Sequence, residues 1–237
     1  MQIAGKVVFV TGANRGLGQE LVQAFLERGA ARIYTAARRV ETLDARHGAR
    51  TVAVALDLTS PTSIVAAADA AQDVEILVNN ASAAVFANPL DADRSAVEHE
   101  MAVNFFGSYD LIRAFVPALR RNRGAVVNIL SLLSLSSTPP MAGYSASKAA
   151  LHSMTQALRP VLAAEGIAVH GVYPGGIDTD MLAGIEAPKT GAGKVAAGLL
   201  DGLEAGEEDI FPDPNAKAMA ELWWSNPKAF ERAFAGS

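Results

Sequence analysis

The stretch that most constrains the fold lies near the start of the chain. There the run Lys6-Val7-Val8-Phe9-Val10 leads into Thr11-Gly12-Ala13-Asn14-Arg15-Gly16-Leu17-Gly18. Residues 19–28 follow with apolar Leu21, Val22, Phe25 and Leu26 at helical spacing, closed by Gly29. The pattern predicts a strand, a glycine turn and a helix. Glycines allow tight turning and close approach of backbone to a ligand, and the free amides at a helix start attract phosphate. The spacing is Gly-x-x-x-Gly-x-Gly rather than Gly-x-Gly-x-x-Gly, and a glycine-rich turn by itself can equally be a structural loop.

Further along, strand and helix patterns alternate. Residues 31–37 predict a second strand, followed by Arg38-Arg39. In dinucleotide sites the end of this strand faces the adenosine ribose, where an acidic side chain holds the 2′-hydroxyl and an arginine accommodates a 2′-phosphate. Ala37 stands where the acid would be, and Arg15, Arg38 and Arg39 offer phosphate-matched guanidinium groups. Solvated surface arginines are the other reading. Residues 51–56 predict a third strand running into Asp57-Leu58, with the Asp57 side chain as a cap over an adenine. A helix over 60–72, opened by Ser60-Pro61, leads to a fourth strand at 74–78 and then Asn79-Asn80-Ala81-Ser82. Two asparagines in series at a strand end suggest a fixed turn whose amides bridge neighbouring strands.

Residues 91–121 carry one long helical pattern, within which Asn104 sits among large apolar residues. A buried asparagine needs hydrogen-bond partners, so it is either a satisfied structural amide or a link to a site. The apolar run 125–130 predicts a buried fifth strand ending at Ser131. A helix from about Tyr144 to 165 follows, with a possible irregularity at Pro160. A sixth strand at 167–173 runs into Pro174-Gly175-Gly176-Ile177-Asp178-Thr179, a second ligand-side loop. Residues 181–193 are expected to form a mobile flap with at most a short helix. A helix over 194–203, a short strand at 209–211 and one or two amphipathic helices over 214–234 complete the chain. No repeat or linker divides it, so one domain over 1–237 is expected.

The chemistry concentrates between 131 and 151. Tyr144 and Lys148 lie four apart in a run of small, helix-compatible residues, which places them one turn apart on one helix face. A phenol of ordinary pKa ~10 is mostly protonated at neutral pH, and an adjacent ammonium stabilises its phenolate. Such a tyrosine can give or take a proton. Ser131, 144 − 131 = 13 positions upstream, ends a strand where open α/β sheets place their ligands. Ser134, Ser136 and Ser137 are competing hydroxyls nearby. By itself, Tyr-x-x-x-Lys also describes many helices with a core tyrosine and a solvated lysine.

Composition narrows the alternatives. A chain of 237 residues that is 50% hydrophobic can bury one substantial core. Its net charge of −5, with Lys and Arg scattered, argues against a nucleic-acid or anionic-membrane surface. Zero cysteines exclude a disulfide framework and thiolate metal ligands. The histidines, His47, His99, His152 and His170, are too dispersed for a zinc site. The only long apolar runs are strand-length, and a soluble, cytoplasmic protein without a metal is expected.

Together these pieces resemble the short-chain dehydrogenase/reductase family over nearly the whole chain. Six signals occur in the family's order: Thr11-Gly12-x-x-x-Gly16-x-Gly18, Asp57-Leu58, Asn79-Asn80-Ala81, Asn104, Ser131 with Tyr144-x-x-x-Lys148, and Pro174-Gly175. The resemblance implies a Rossmann-type α/β domain, doubly wound around a mostly parallel sheet of about seven strands, and a nicotinamide cofactor. NADP(H) is expected from the arginines.

The resemblance makes Tyr144 the general acid in ketone reduction and the general base in alcohol oxidation. Lys148 would lower the tyrosine's pKa and hold the nicotinamide ribose. Ser131 would bind the substrate oxygen, and Asn104 would support a relay water. Cofactor contacts would come from Gly12, Asn14, Arg15, Gly16, Leu17, Gly18, Arg38, Arg39, Asp57, Leu58, Asn80, Ala81, Tyr144, Lys148, Pro174, Gly175, Ile177 and Thr179, with Thr11 structural. Two departures stand out: Ser82 replaces the glycine that usually ends Asn-Asn-Ala-Gly, and Leu130 replaces a common serine.

The family's placement of the pocket around Ser131, Tyr144 and the loop after Pro174 implies a lining of Ala83, Val85, Leu132, Leu133, Pro139, Met141, Met181 and Leu182, mostly apolar and none charged. The expected activity is therefore interconversion of an uncharged hydrophobic ketone and its alcohol. Arg94 and Lys189 are the cations that could swing toward it. Alternatives are a 3-ketoacyl reductase-like enzyme and a cofactor-binding regulator without turnover. A homo-oligomer, dimer or tetramer, is expected from the apolar excess on the helices over 91–121 and from Tyr144.

Overall fold

The computed structural model describes residues 1–44 and 48–235, so His47 lies outside the described residues. Six strands alternate with helices along the first part of the chain: β1 (Val7–Thr11), β2 (Arg32–Ala37), β3 (Thr51–Ala55), β4 (Ile76–Asn79), β5 (Ala125–Ile129) and β6 (Ala168–Val172). Two short strands, β7 (Ile177–Asp178) and β8 (Thr190–Gly191), pair with each other in parallel, and β9 (Asp209–Ile210) pairs with β6. The main sheet has seven parallel strands in the order β3-β2-β1-β4-β5-β6-β9. This is the doubly wound Rossmann-type α/β architecture. β1, β4 and β5 are apolar on successive residues because helices cover both faces of the sheet.

The helices are α1 (Gly16–Glu27), α2 (Pro61–Ala70), α3 (Arg94–Met101), α4 (Ser108–Asn122), α5 (Ala142–Ala163), α6 (Ala192–Ala205), α7 (Pro214–Ser225) and α8 (Pro227–Phe234). One face of the sheet is covered by α1 and α6, whose Leu21, Phe25, Val195 and Leu199 meet Val8, Val10 and Ile33. Each such fully buried side chain contributes about 1.5–3 kcal/mol. The other face carries α2, α4 and α5, where Ile64, Leu111, Phe115 and Leu162 pack on Phe9, Leu77 and Val126. A third cluster seats α7 and α8 against Leu130, Leu132, Leu151, Tyr173 and Phe211. Pro61 at the start of α2 and Pro214 at the start of α7 follow side-chain caps, Ser60 accepting from Ser63 N and Asp213 from Ala216 N.

Two details depart from the sequence reading, over 91–121 and over 181–193. The pattern over 91–121 is not one α-helix: a π-helical segment, Ala102–Gly107, separates α3 from α4. Its end lies tight against the loop after β3, where a Cβ on Gly107 would sit 2.6 Å from the Leu58 Cβ. The widened turn also carries Asn104, and such segments concentrate at functional sites. The helix α5 continues through Pro160 to Ala163, close to the expected end near 165. The stretch over 181–193 is partly ordered, through the β7–β8 ladder and a hydrogen bond from Lys189 Nζ to the Leu182 carbonyl at 2.8 Å. Leu130 is buried among the residues under α7 and α8, so an apolar side chain is what that position requires. No helix among the described residues is long and apolar enough to cross a membrane.

Candidate active site

The order of the sheet reverses its direction of winding between β1 and β4, the place where open α/β sheets bind ligands beyond their carboxyl ends. The glycine turn follows β1 there. Gly12 and Gly16 have φ of +63° and +52°, backbone that favours glycine. A Cβ on Gly18 would collide with the Gly12 carbonyl oxygen and lie 2.6 Å from Asn80 Nδ2. The turn therefore closes on itself only with hydrogen at that position. Thr11, as expected, is structural: its Oγ1 accepts from Asn80 N and Ala81 N at 2.9 Å each, tying β1 to the turn after β4. Asn80 Nδ2 donates back to Thr11 O at 2.9 Å, and Asn79 Nδ2 donates to Asn128 Oδ1 at 2.8 Å. The two asparagines thus bridge β4 to its neighbours on both sides.

Across the opening, the loop after β6 meets the glycine turn. A Cβ on Gly16 would lie 3.2 Å from Thr179 Cγ2, and Arg15 Nη1 stands 3.7 Å from Asp180 Oδ2. Gly175 N donates to the buried Asp213 Oδ2 at 3.1 Å, so the cap of α7 also fixes the Pro174-Gly175 turn. Ile177 is half-buried in β7 against the α1–α6 side of the core. These surfaces form a glycine-lined crevice at a helix start, which fits the pyrophosphate of a dinucleotide. Leu17 is buried and Ala81 packs its backbone on Gly12, so both contribute main chain to the crevice; Asn14 and Arg15 are more exposed.

At the adenosine end, Arg38 and Arg39 are exposed just beyond β2, and Ala37 is buried. The expectation for Asp57 and Leu58 changes. Asp57 Oδ1 accepts from Thr59 N at 2.9 Å and Thr59 Oγ1 at 2.7 Å, bonds that hold its carboxyl below the usual range, with Arg38 adding to the effect. The Leu58 side chain is buried against the π segment. One carboxylate oxygen is committed to its own turn and the leucine side chain to the core, which leaves the second Asp57 oxygen and the backbone of the pair for any ligand.

Tyr144, Ser131 and Lys148 do come together. Ser131 ends β5 in extended geometry, and its Oγ accepts from Leu133 N at 3.1 Å, which leaves the hydroxyl proton to donate. The Tyr144 phenol faces the hydroxyls of Ser131 and Ser82, both of which favour its ionised form. Lys148 Nζ stands 5.7 Å from the Tyr144 ring centre and donates to the Ile129 carbonyl at 2.7 Å. The expected lowering of the tyrosine's pKa by the lysine is not what dominates. Burial pushes Tyr144 up to about 12 and Lys148 down to about 7. In so closed a place both groups favour their uncharged forms.

The competing hydroxyls are accounted for by their surroundings. Ser134 Oγ donates to the Ser131 carbonyl, Ser136 Oγ is buried without a protein partner, and Ser137 is exposed. Asn104 is fully buried and fully used: Oδ1 accepts from Ser82 Oγ at 3.0 Å and Ala83 N at 2.8 Å, while Nδ2 donates to Ala83 O and Ser147 Oγ, each at 2.8 Å. All of its side-chain hydrogen-bonding positions are taken, and none is left for the expected relay water. Of the expected pocket residues, Leu132 is buried in the core under α7, because the 3₁₀ turn after Ser131 points it inward. Ala83, Val85, Leu133, Pro139, Met181 and Leu182 are partly or fully exposed, and Met141 is buried beside the start of α5.

Two side chains at the site were not singled out as site residues in the sequence. Glu100, one turn before Asn104, is buried and accepts from Val85 N at 2.8 Å. Ser82, noted only as a departure, links Asn104 to the phenol. An acid at i−4 to a buried asparagine, among Val97, Met101 and Val103, was the available signal for Glu100.

Comparison with known proteins places this geometry. A family model described as short chain dehydrogenase matches residues 6–190. A short chain dehydrogenase from Burkholderia cenocepacia, crystallised in complex with NADP, superposes with a TM-score of 0.93 at 39% identity and covers 99% of both chains. Galactitol 2-dehydrogenase (L-tagatose-forming) of Cereibacter sphaeroides is 36% identical over 76% of this chain and 74% of its own. The 3-oxoacyl-(acyl-carrier-protein) reductase of Vibrio cholerae is 29% identical over 97% of this chain and 93% of its own. Some other curated relatives are matched over 60% and 66% of their own lengths.

Proposed function

This chain belongs to the short-chain dehydrogenase/reductase family, and from that premise we propose that it is an NADP(H)-dependent oxidoreductase interconverting an uncharged hydrophobic ketone and its secondary alcohol. The observation that carries the proposal is the convergence of the Tyr144, Ser131 and Lys148 side chains beside a glycine-lined phosphate crevice. When bound, the nicotinamide supplies the hydride in reduction and accepts it in oxidation. Ser131 donates a hydrogen bond to the carbonyl oxygen. Tyr144 gives that oxygen its proton in reduction and takes the proton from the alcohol in oxidation. Lys148, one turn further along α5, holds the ribose hydroxyls, and Asn104 keeps the Ser82–Ala83 segment at the phenol. The glycine turn, Arg15 and Thr179 hold the phosphates.

The preference for NADP(H) rests on Arg38 and Arg39 exposed past β2, on Ala37 in place of an acid, and on the NADP bound to the similar Burkholderia protein. The hydrophobic substrate is supported by apolar Val85, Phe86, Met181 and Ile185 exposed on the loops beside the site. The two cations that could have entered are engaged elsewhere: Arg94 pairs with Glu98 at 2.7 Å and Lys189 with the Leu182 carbonyl. Neither cation is left to meet a substrate carboxylate or phosphate, whose desolvation without a partner is costly. The proposal also includes a homo-oligomeric, cytoplasmic enzyme.

A second reading, reduction of a carrier-linked 3-keto acid, is favoured by the end-to-end similarity to the Vibrio cholerae reductase. The test is NADPH and NADH consumption over a carbonyl panel containing an aryl alkyl ketone and a 3-ketoacyl thioester, with alcohol oxidation in parallel. Turnover of the ketone with NADPH supports the first reading; a clear preference for the thioester selects the second. Replacing Arg38 by Asp should weaken NADPH binding much more than NADH binding. A wild-type enzyme that binds NADH at least as tightly would contradict the cofactor assignment.

A further inference from the structure

Glu100 and Asn104 stand one turn apart on the buried face of α3 and the π segment, and both grip the same piece of chain. Asn104 takes Ala83 by its N–H and its carbonyl, and Glu100 Oε1 takes the N–H of Val85 at 2.8 Å. The spacings match: two residues of extended chain advance about 6.6 Å, and four helical residues advance about 6 Å. The segment 82–85 is thereby held at two points along the helix. The other carboxylate oxygen of Glu100 lies against the first turn of α5, so close that a Cβ on Gly143 would collide with Oε2. Tyr144 is the next residue. Peptide dipoles at the start of a 22-residue helix favour a negative charge in that place.

We propose that Glu100 is a positioning residue of the active site, which sets the placement of the 82–85 segment against α5 and holds a negative charge against the α5 turn that carries Tyr144. The inference rests on the reading of Tyr144 as the acid–base group. Burial raises the Glu100 carboxyl above its usual range, and its charge in turn opposes ionisation of Tyr144. The other titratable and charged groups around the pair are His99 on the same helix and Lys148 on α5; Ser82 and Ser131 face the phenol as uncharged hydroxyls. Because an anion beside the phenol disfavours phenolate, removing it makes the base available at lower pH.

The test is the pH profile of NADP⁺-dependent alcohol oxidation for wild type, Glu100→Gln and Tyr144→Phe, with cofactor binding followed by fluorescence. Glutamine keeps an acceptor for Val85 N and removes the charge. The acid limb is expected to move down by about one unit, the scale on which a neighbouring charge acts on a buried group, with cofactor affinity unchanged. Superimposable limbs for wild type and Glu100→Gln overturn the inference. Should that variant fail to fold, Gly143→Ala displaces the carboxylate while retaining it; a moved limb supports the inference and an unmoved one overturns it. An active Tyr144→Phe enzyme overturns the parent reading and this inference with it. An inactive Tyr144→Phe beside an unmoved limb for Glu100→Gln defeats the Glu100 assignment alone.

Discussion

In the proposed function Lys148 serves chemistry at the expense of stability. It is 2% exposed, donates among the described residues to the Ile129 carbonyl, and burial brings its pKa from the ordinary 10.5 to about 7. Between those values the unfolded chain binds a proton that the folded chain does not. The group's stabilising contribution is therefore fully present above about 10.5 and is lost as pH falls toward about 7. A methionine fills much of the same volume without the charge. Lys148→Met is thus expected to abolish turnover while raising the melting temperature of the ligand-free protein at pH 7, by roughly 2–4 °C per kcal/mol gained in a chain of this size. Thermal unfolding at pH 7 and pH 9.5 checks this: the gain should shrink at the higher pH, and a lower melting point at pH 7 would count against the buried-amine account.

At the level of elements, the glycine turn and the π segment determine where the site can form. Gly12, Gly16 and Gly18 line one crevice, and Gly18 is the most crowded of the three. Gly18→Ala pushes a methyl into the Gly12 carbonyl and toward Asn80, so a loss of at least about 2 kcal/mol of stability is expected, together with loss of cofactor binding. Gly191→Ala, where a Cβ meets nothing within 4 Å, is the control and should be silent. Denaturant unfolding and cofactor titration of both variants provide the measurement, and a benign Gly18→Ala would contradict the cradle. The strands, the turn and the shared face of Tyr144 and Lys148 were legible in the sequence, because short apolar runs, period-3.6 patterns and a fixed helical offset encode ends and faces; the place of Ser131 beside them came with the family resemblance. The π segment was not legible, since one inserted residue per turn leaves the apolar pattern of 91–121 almost intact. Leu132, expected in the pocket from the family's placement of that pocket around Ser131, turns into the core under α7, which no periodicity in a loop after a strand signals. The dominance of burial over the lysine's charge at Tyr144 depends on how tightly α5 closes on β5, a distance that no local sequence signal records.

On the scale of the whole molecule, seven parallel strands bring the glycine turn, the Asn79-Asn80 turn, Ser131 and the Pro174-Gly175 turn to one edge of the sheet, and α5 delivers Tyr144 and Lys148 to the same edge. The opposite sides of the helices remain to be covered. Phe106 on the π segment is 53% exposed and Val161 on α5 is 60% exposed. Apolar side chains left on the helices of one face are consistent with pairing of copies across a two-fold axis. Sedimentation at micromolar concentration is expected to give a dimer or tetramer, and Phe106→Glu should shift it toward smaller species; a wild-type monomer would contradict that expectation. The account as a whole stands on a proton passing through one phenol. Its most direct measurement is NADPH-dependent reduction of an aryl alkyl ketone by wild type and Tyr144→Phe, with cofactor binding titrated in both. The expected result is a loss of turnover of about 10²- to 10⁴-fold, the range for removing a general acid, with cofactor affinity retained; near-normal turnover in the phenylalanine variant would contradict the account.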